Sequence, residues 1–224
     1  FRKNYYDFLQ DRDFIMFDQR GVGFSRPTLD CPGLVQAEYR DAENFHTAEE
    51  RLDAYIGRIM DCQERLLRNG NDLSLYSSVN IAADLDDLRL ALGYADWNLF
   101  GVSYGTKIAL TAMRDTPQGI RSVILDSVYP LEVSLYEDLA AHQWRSFELL
   151  FSTCTEDEAC HESFPNLEDT LYQTIERYNA DPYFIRGQHK QARFFFETYV
   201  DGDQLAGYIF NQLYVKDEIR TLPA

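Results

Sequence analysis

Leu99-Phe100-Gly101-Val102-Ser103-Tyr104-Gly105-Thr106 is the stretch on which the fold turns. Residues 101–105 fit a G-x-S-x-G pattern, in which a serine stands on a sharp turn between a strand and a helix. The flanks suit that geometry. Trp97-Asn98-Leu99-Phe100 reads as a strand, and Ile108, Ala109, Ala112 and Met113 begin an apolar helical stripe. Glycines two residues to either side leave room for close strand–helix packing, and the strain of the turn lifts the hydroxyl clear for attack. Ser103 is therefore the candidate nucleophile. The N–H of Tyr104, near the positive end of the following helix, is the candidate donor to a developing oxyanion. Such pentapeptides also arise by chance in loops, and here the strand and helix around it give it weight.

Working outward, Asn80 is placed to cap a helix carrying Ile81, Leu85, Leu88 and Leu92 on one face and ending at Gly93. Further upstream, Thr47 and Glu50 form a capping box for a helix with Leu52, Ile56, Ile59 and Leu66 in its stripe and Gly70 at its end. Asp13-Phe14-Ile15-Met16-Phe17 reads as a buried strand running into the turn Arg20-Gly21-Val22-Gly23. Downstream, Ser122-Val123-Ile124-Leu125 is a strand that ends on Asp126, which reads either as lining the site at the strand's carboxyl end or as a turn or helix cap. Strand and helix alternating in this way indicate an α/β fold with a parallel sheet. Beyond Pro130 the pattern turns mainly helical, around residues 133–153, 168–180 and 203–214. An aromatic run, Phe194-Phe195-Phe196, lies between these helices, and Arg186 to Gln191 reads as a polar surface loop. The division expected is a core over residues 1–129 and a lid over 130–224.

Composition narrows the classes. Apolar residues at 45% and aromatics at 14% are globular values, and no apolar run is long enough to span a bilayer. Twenty-one basic against 37 acidic residues give a net charge of −16, which repels phosphate backbones and anionic lipids. Nucleic acid and membrane are excluded as expected partners. The same charge suits either a cationic substrate or simple solubility. Four cysteines fall into two local pairs, Cys31 with Cys62 and Cys154 with Cys160, without companions at zinc spacing. They read as two disulfides or as buried free thiols; disulfides favour an extracytoplasmic setting. No metal or cofactor is implied.

Several segments together resemble the α/β-hydrolase peptidases, in particular proline iminopeptidases and tripeptidyl aminopeptidases. They are Asp18-Gln19-Arg20-Gly21-Val22-Gly23-Phe24-Ser25, the stretch around Ser103, Arg121 to Asp126, and Asp87-Leu88-Arg89-Leu90-Ala91-Leu92-Gly93. The paired cysteines, Gln212-Leu213-Tyr214 and Leu222-Pro223 extend the likeness. The resemblance implies a partial α/β-hydrolase core with a mainly helical lid, and a serine hydrolase that releases residues or short peptides from peptide amino termini through an acyl-enzyme. It implies that lid carboxylates hold the substrate's α-ammonium, with Glu132 and Glu137 the candidates by position. Asp18 and Arg20 read as supports of their loop. An esterase with the same turn, and a non-catalytic binding domain, are the alternatives.

A serine hydroxyl needs a histidine base oriented by a carboxylate, and in this fold both follow the serine in the chain. His142, His161 and His189 follow Ser103, but none comes just after a new core strand. The resemblance places the acid and histidine beyond Ala224 and a glycine-rich oxyanion loop before Phe1. The chain is therefore expected to be a fragment, inert by itself.

Overall fold

The structure is a computed structural model that describes residues 10–32, 34, 47–188 and 195–223. The chain divides into two packed units, Phe1–Cys31 with Asp61–Leu131, and Pro32–Met60 with Glu132–Ala224.

A capping box opens helix α1, Ala48–Arg68. Thr47 N–H donates to Glu50 Oε2 at 2.8 Å and Glu50 N–H donates to Thr47 Oγ1 at 3.2 Å. Gly70 closes the helix with φ 82°, which lets Asn71 N–H reach the Leu66 carbonyl at 3.2 Å. Only the second half of the expected apolar stripe is covered: Cys62 and Leu66 are buried, whereas Leu52, Ile56 and Ile59 are exposed. Cys62 is joined to Cys31 by a disulfide, with Cα atoms 5.9 Å apart.

Helix α2, Ser78–Ala91, follows a short 3₁₀ turn at Leu73–Leu75. Its cap is Ser77, whose Oγ accepts from Asn80 N–H at 3.3 Å. Asn80 is not the cap, because its side chain is turned back to donate to the Leu75 carbonyl at 3.0 Å. Strand β1, Trp97–Val102, leads into helix α3, Tyr104–Asp115, and strand β2, Ile120–Asp126, lies parallel to β1. The register pairs Leu99 with Val123, Phe100 with Ile124 and Val102 with Asp126. One face of this sheet is covered: Leu99 packs with Ile81, Ala82, Ile108, Ala109 and Ala112, and Trp97, Val123 and Leu125 close around them. Each large apolar side chain so buried contributes about 1.5–3 kcal/mol. Phe100, Val102 and Ile124 on the opposite face are exposed. Arg89 locks the end of α2 from within, donating to Asp86 Oδ1 and to the carbonyls of Tyr94 and Ala95, all at 2.8 Å.

Asp13–Phe17 is not a strand. An apolar run signals burial but not a ladder neighbour, and among the described residues this segment joins no ladder. Phe17 packs on the core while Met16 is 78% exposed.

The second unit is built on helix α4, Leu135–Glu156, capped by Ser134, and on α5, Glu158–Ser163, tied to α4 by the disulfide Cys154–Cys160 with Cα atoms 5.1 Å apart. Helix α6, Leu167–Ala180, strands β3, Tyr183–Gln188, and β4, Phe195–Val200, and helices α7, Gly202–Gln212, and α8, Lys216–Ile219, complete it. Phe147 and Phe151 are buried on α4 and meet Phe210 and Tyr172. Burial pushes the Tyr172 hydroxyl's pKa up, and the nearby Glu168 carboxylate adds to the shift. The aromatic run supplies β4 with Phe195 and Phe196, and Phe194 lies outside the described residues. Arg186 to Gln188 is not loop but the end of β3, because the antiparallel register sets Arg186 opposite Glu197 and their charges pair across the strands. Residues 189–191 lie outside the described residues. Buried Asp201 opens α7 through a capping box with Gln204 and is ion-paired to Arg51 of α1.

Candidate active site around Ser103

Ser103 sits between β1 and α3 with φ 53° and ψ −121°, a left-handed backbone that side chains rarely adopt. The strain, of order 1–3 kcal/mol, persists because the surroundings over-determine it. Ser103 N–H donates to the Asp126 carbonyl at the end of β2 at 3.0 Å. Its carbonyl accepts from Thr106 N–H at 2.9 Å and from Thr106 Oγ1 at 2.6 Å. The side chain is exposed, does not cap α3, and has no hydrogen-bond partner among the described residues.

The two flanking glycines are not equivalent. A Cβ on Gly101 would lie 2.6 Å from the Gly105 carbonyl oxygen and 2.9 Å from Thr106 N, so β1 and the first turn of α3 touch through bare backbone. A Cβ on Gly105 would meet nothing within 4 Å. Close packing thus explains Gly101 and not Gly105. Tyr104 N–H begins α3 with no partner among the described residues, while the Tyr104 hydroxyl shares a hydrogen bond with Ser78 Oγ at 2.9 Å.

Asp126 lies beside Ser103 through that backbone contact; its exposed carboxylate accepts from Ser127 Oγ at 3.1 Å, and Ser127 is itself left-handed at φ 58°. In the upstream loop, Asp18 Oδ2 accepts from Phe24 N–H at 2.7 Å, and Arg20 makes two bonds to Asp84 of α2, at 2.7 and 2.5 Å, and one to the Leu75 carbonyl at 2.7 Å. The hydrogen bonds to Asp84 raise the pKa of the Arg20 guanidinium further, so both charges are spent on holding the loop.

Glu132 and Glu137 belong to the second unit, exposed at the approach to α4 and in its first turn. Their carboxylates have no hydrogen-bond partner among the described residues, whereas Asp138 is engaged by Ser134 N–H at 2.9 Å. His142 lies in α4 and His161 in α5, and His189 falls outside the described residues. Among the described residues no group of three or more His, Cys, Asp or Glu could hold a metal ion, and no helix is long and apolar enough to cross a membrane.

The residue that sequence reasoning missed is Thr106. It is fully buried beneath Ser103, and its only signal was a hydroxyl three positions after the serine.

Residues 1–178 match the family described as the alpha/beta hydrolase fold. The chain belongs to the α/β-hydrolase family. Among curated proteins, it is 32% identical over 137 residues to the serine protease Hip1 of Mycobacterium tuberculosis, covering 55% of this chain and 25% of that protein. It is 36% identical over 120 residues to the tripeptidyl aminopeptidase of Streptomyces lividans, covering 52% of this chain and 22% of the relative. The putative hydrolase YuaR of Escherichia coli is 26% identical over 154 residues, 66% of this chain and 29% of its own length. The matched stretches thus span about a quarter of the length of these relatives.

Proposed function

We propose that Ser103 is the nucleophile of a serine hydrolase that cleaves peptides from their amino end. The observation that carries this reading is the strained backbone of Ser103 at the strand-to-helix turn, with its hydroxyl exposed and unengaged. In the reaction, Ser103 Oγ attacks the scissile carbonyl carbon while its proton passes to a histidine base, and the carbonyl electrons move to oxygen. Tyr104 N–H faces that oxyanion. Collapse expels the amine, which takes the proton from the histidine, and water then releases the acyl group by the same steps in reverse order.

Three features support an amino-terminal peptide as substrate. Relatives over half the chain are named as a serine protease and a tripeptidyl aminopeptidase. The net charge of −16 draws a cationic ligand, and the open carboxylates of Glu132 and Glu137 are suited to an α-ammonium group. Residues 130–224, which carry both, are read as the lid that limits access. The two disulfides favour an oxidising, extracytoplasmic compartment.

The base is the group that the Ser103 unit does not supply: none of the four histidines, His46, His142, His161 and His189, falls within residues 1–31 or 61–131. The 224 residues alone are read as lacking turnover because none of the histidines after Ser103 follows a further core strand, where this fold carries its base. Two assays test these readings. In the protein at its full natural length, a fluorophosphonate probe and a free-amino tripeptidyl amide should both be turned over or bound at Ser103, and Ser103→Ala should remove both by several orders of magnitude. Equal turnover in the two proteins places the chemistry elsewhere, and faster cleavage of acyl esters than of the peptide favours an esterase. Stoichiometric labelling of the 224-residue chain itself would overturn its inactivity.

A further inference from the structure

Among the described residues, Thr106 and Thr111 are the largest fully buried side chains, and they use their hydroxyls differently. Thr111 Oγ1 donates to the Lys107 carbonyl one turn back at 2.7 Å, an ordinary bond within the helix. Thr106 bridges two segments. Its hydroxyl donates to the Ser103 carbonyl at 2.6 Å and accepts from Tyr129 N–H, in the loop after β2, at 2.7 Å. The next residue repeats the attachment, since Lys107 Nζ stands 4.1 Å from the centre of the Tyr129 ring. Thr106 is at 0% exposure, so its hydroxyl makes both bonds shielded from solvent.

We propose that Thr106 is the positioning residue of the Ser103 turn, its hydroxyl tying the Ser103 carbonyl to the loop after β2 so that Ser103 Oγ and Tyr104 N–H keep the geometry of attack. The inference rests on Ser103 being the nucleophile. Its physical basis is that Ser103 is held from both sides. The N–H is fixed by Asp126 at the end of β2, and the carbonyl by Thr106, which is itself fixed by Tyr129 just beyond β2. Strain that two neighbouring segments maintain together relaxes when one of them lets go. Removing the hydroxyl leaves the Ser103 carbonyl with the Thr106 N–H alone of its two Thr106 donors and takes away the side-chain acceptor of Tyr129 N–H.

The experiment compares Thr106→Val, which keeps the volume and loses the hydroxyl, with Thr106→Ser, which keeps the hydroxyl and loses the methyl. Both are made in the protein at its full natural length. The rate of fluorophosphonate labelling at Ser103 is read beside the amide exchange of Tyr129. Thr106→Val is expected to slow labelling by about 10²-fold and to speed Tyr129 exchange by about tenfold, with Thr106→Ser close to wild type in both. Labelling of Thr106→Val at the wild-type rate, or equal slowing in both variants, overturns the proposal, because packing alone would then account for the residue. If wild-type Ser103 does not label at all, the nucleophile reading has failed, and Tyr129 exchange decides whether the brace exists. Faster exchange in Thr106→Val than in Thr106→Ser supports it, and equal exchange removes it.

Discussion

Gly101 and Gly105 stand symmetrically about Ser103 in the sequence and unequally in space, and alanine at each position exposes the difference. At Gly101 a methyl group would come within 2.6 Å of the Gly105 oxygen, 2.8 Å of the Gly105 carbonyl carbon and 2.9 Å of Thr106 N. Carbon contacts prefer about 3.5–4.0 Å. All three atoms are backbone, so no side chain can swing aside, and the first turn of α3 must move from β1 by several tenths of an ångström. Overpacking of this kind costs about 1–3 kcal/mol. For a chain of this size each kcal/mol lowers the melting midpoint by about 2–4 °C. At Gly105 the methyl meets nothing within 4 Å and sits in a helix, so the restricted unfolded chain gives a gain of about 0.4–1 kcal/mol. Thermal unfolding followed by circular dichroism should therefore rank Gly101→Ala below wild type and Gly105→Ala at or above it. Equal midpoints for the two variants, or the reverse order, would refute the argument that Gly101 marks a backbone-to-backbone contact.

The other expectations concern chemistry and linkage. Ser103→Ala should abolish labelling and turnover while leaving the melting midpoint nearly unchanged, and Thr106→Val but not Thr106→Ser should slow labelling. The Cys31–Cys62 bridge spans 31 residues and Cys154–Cys160 spans 6, so in the chain-entropy view replacing the first pair with alanine should cost about 1.5 kcal/mol more than replacing the second; urea unfolding of the two double variants checks the order. The hydrogen bond from Tyr94 to the Asp13 carboxylate holds the tyrosine pKa above its ordinary value. A raised tyrosine pKa favours the neutral folded form, so this stabilisation is complete below about pH 10 and is lost as pH rises through the folded value. Alkaline unfolding of Tyr94→Phe should lack that dependence, and an unchanged alkaline limb would contradict it.

The region around Ser103 was legible because its information is local. Strand, turn and helix are specified by about twenty consecutive residues, and the second strand by the apolar run before Asp126. Both cysteine pairs were legible by proximity along the chain. What escaped depends on partners distant in sequence. Asp13–Phe17 has strand-like composition, yet a strand needs a neighbour, which composition cannot supply. Arg186 to Gln188 looks like a loop until Glu197, eleven residues on, is set opposite Arg186. Ser77 and Asn80 are both good caps on propensity, and the choice is made by the Leu75 carbonyl, which engages Asn80. Thr106 carries no signal in the sequence beyond its place three residues after Ser103, because the Tyr129 N–H that its hydroxyl meets lies in the loop after β2.

The exposed face of the β1–β2 sheet bears on how the chain behaves in solution. Phe100, Val102 and Ile124 form an apolar strip beside strand edges that, among the described residues, join no further ladder. Such a surface adheres to copies of itself. The opposing force is the charge of −16, which acts over about 10 Å at 0.1 M salt but only about 3 Å at 1 M. Added salt or acid, by screening or neutralising the carboxylates, is therefore expected to promote self-association of these 224 residues, which light scattering across a salt series would show.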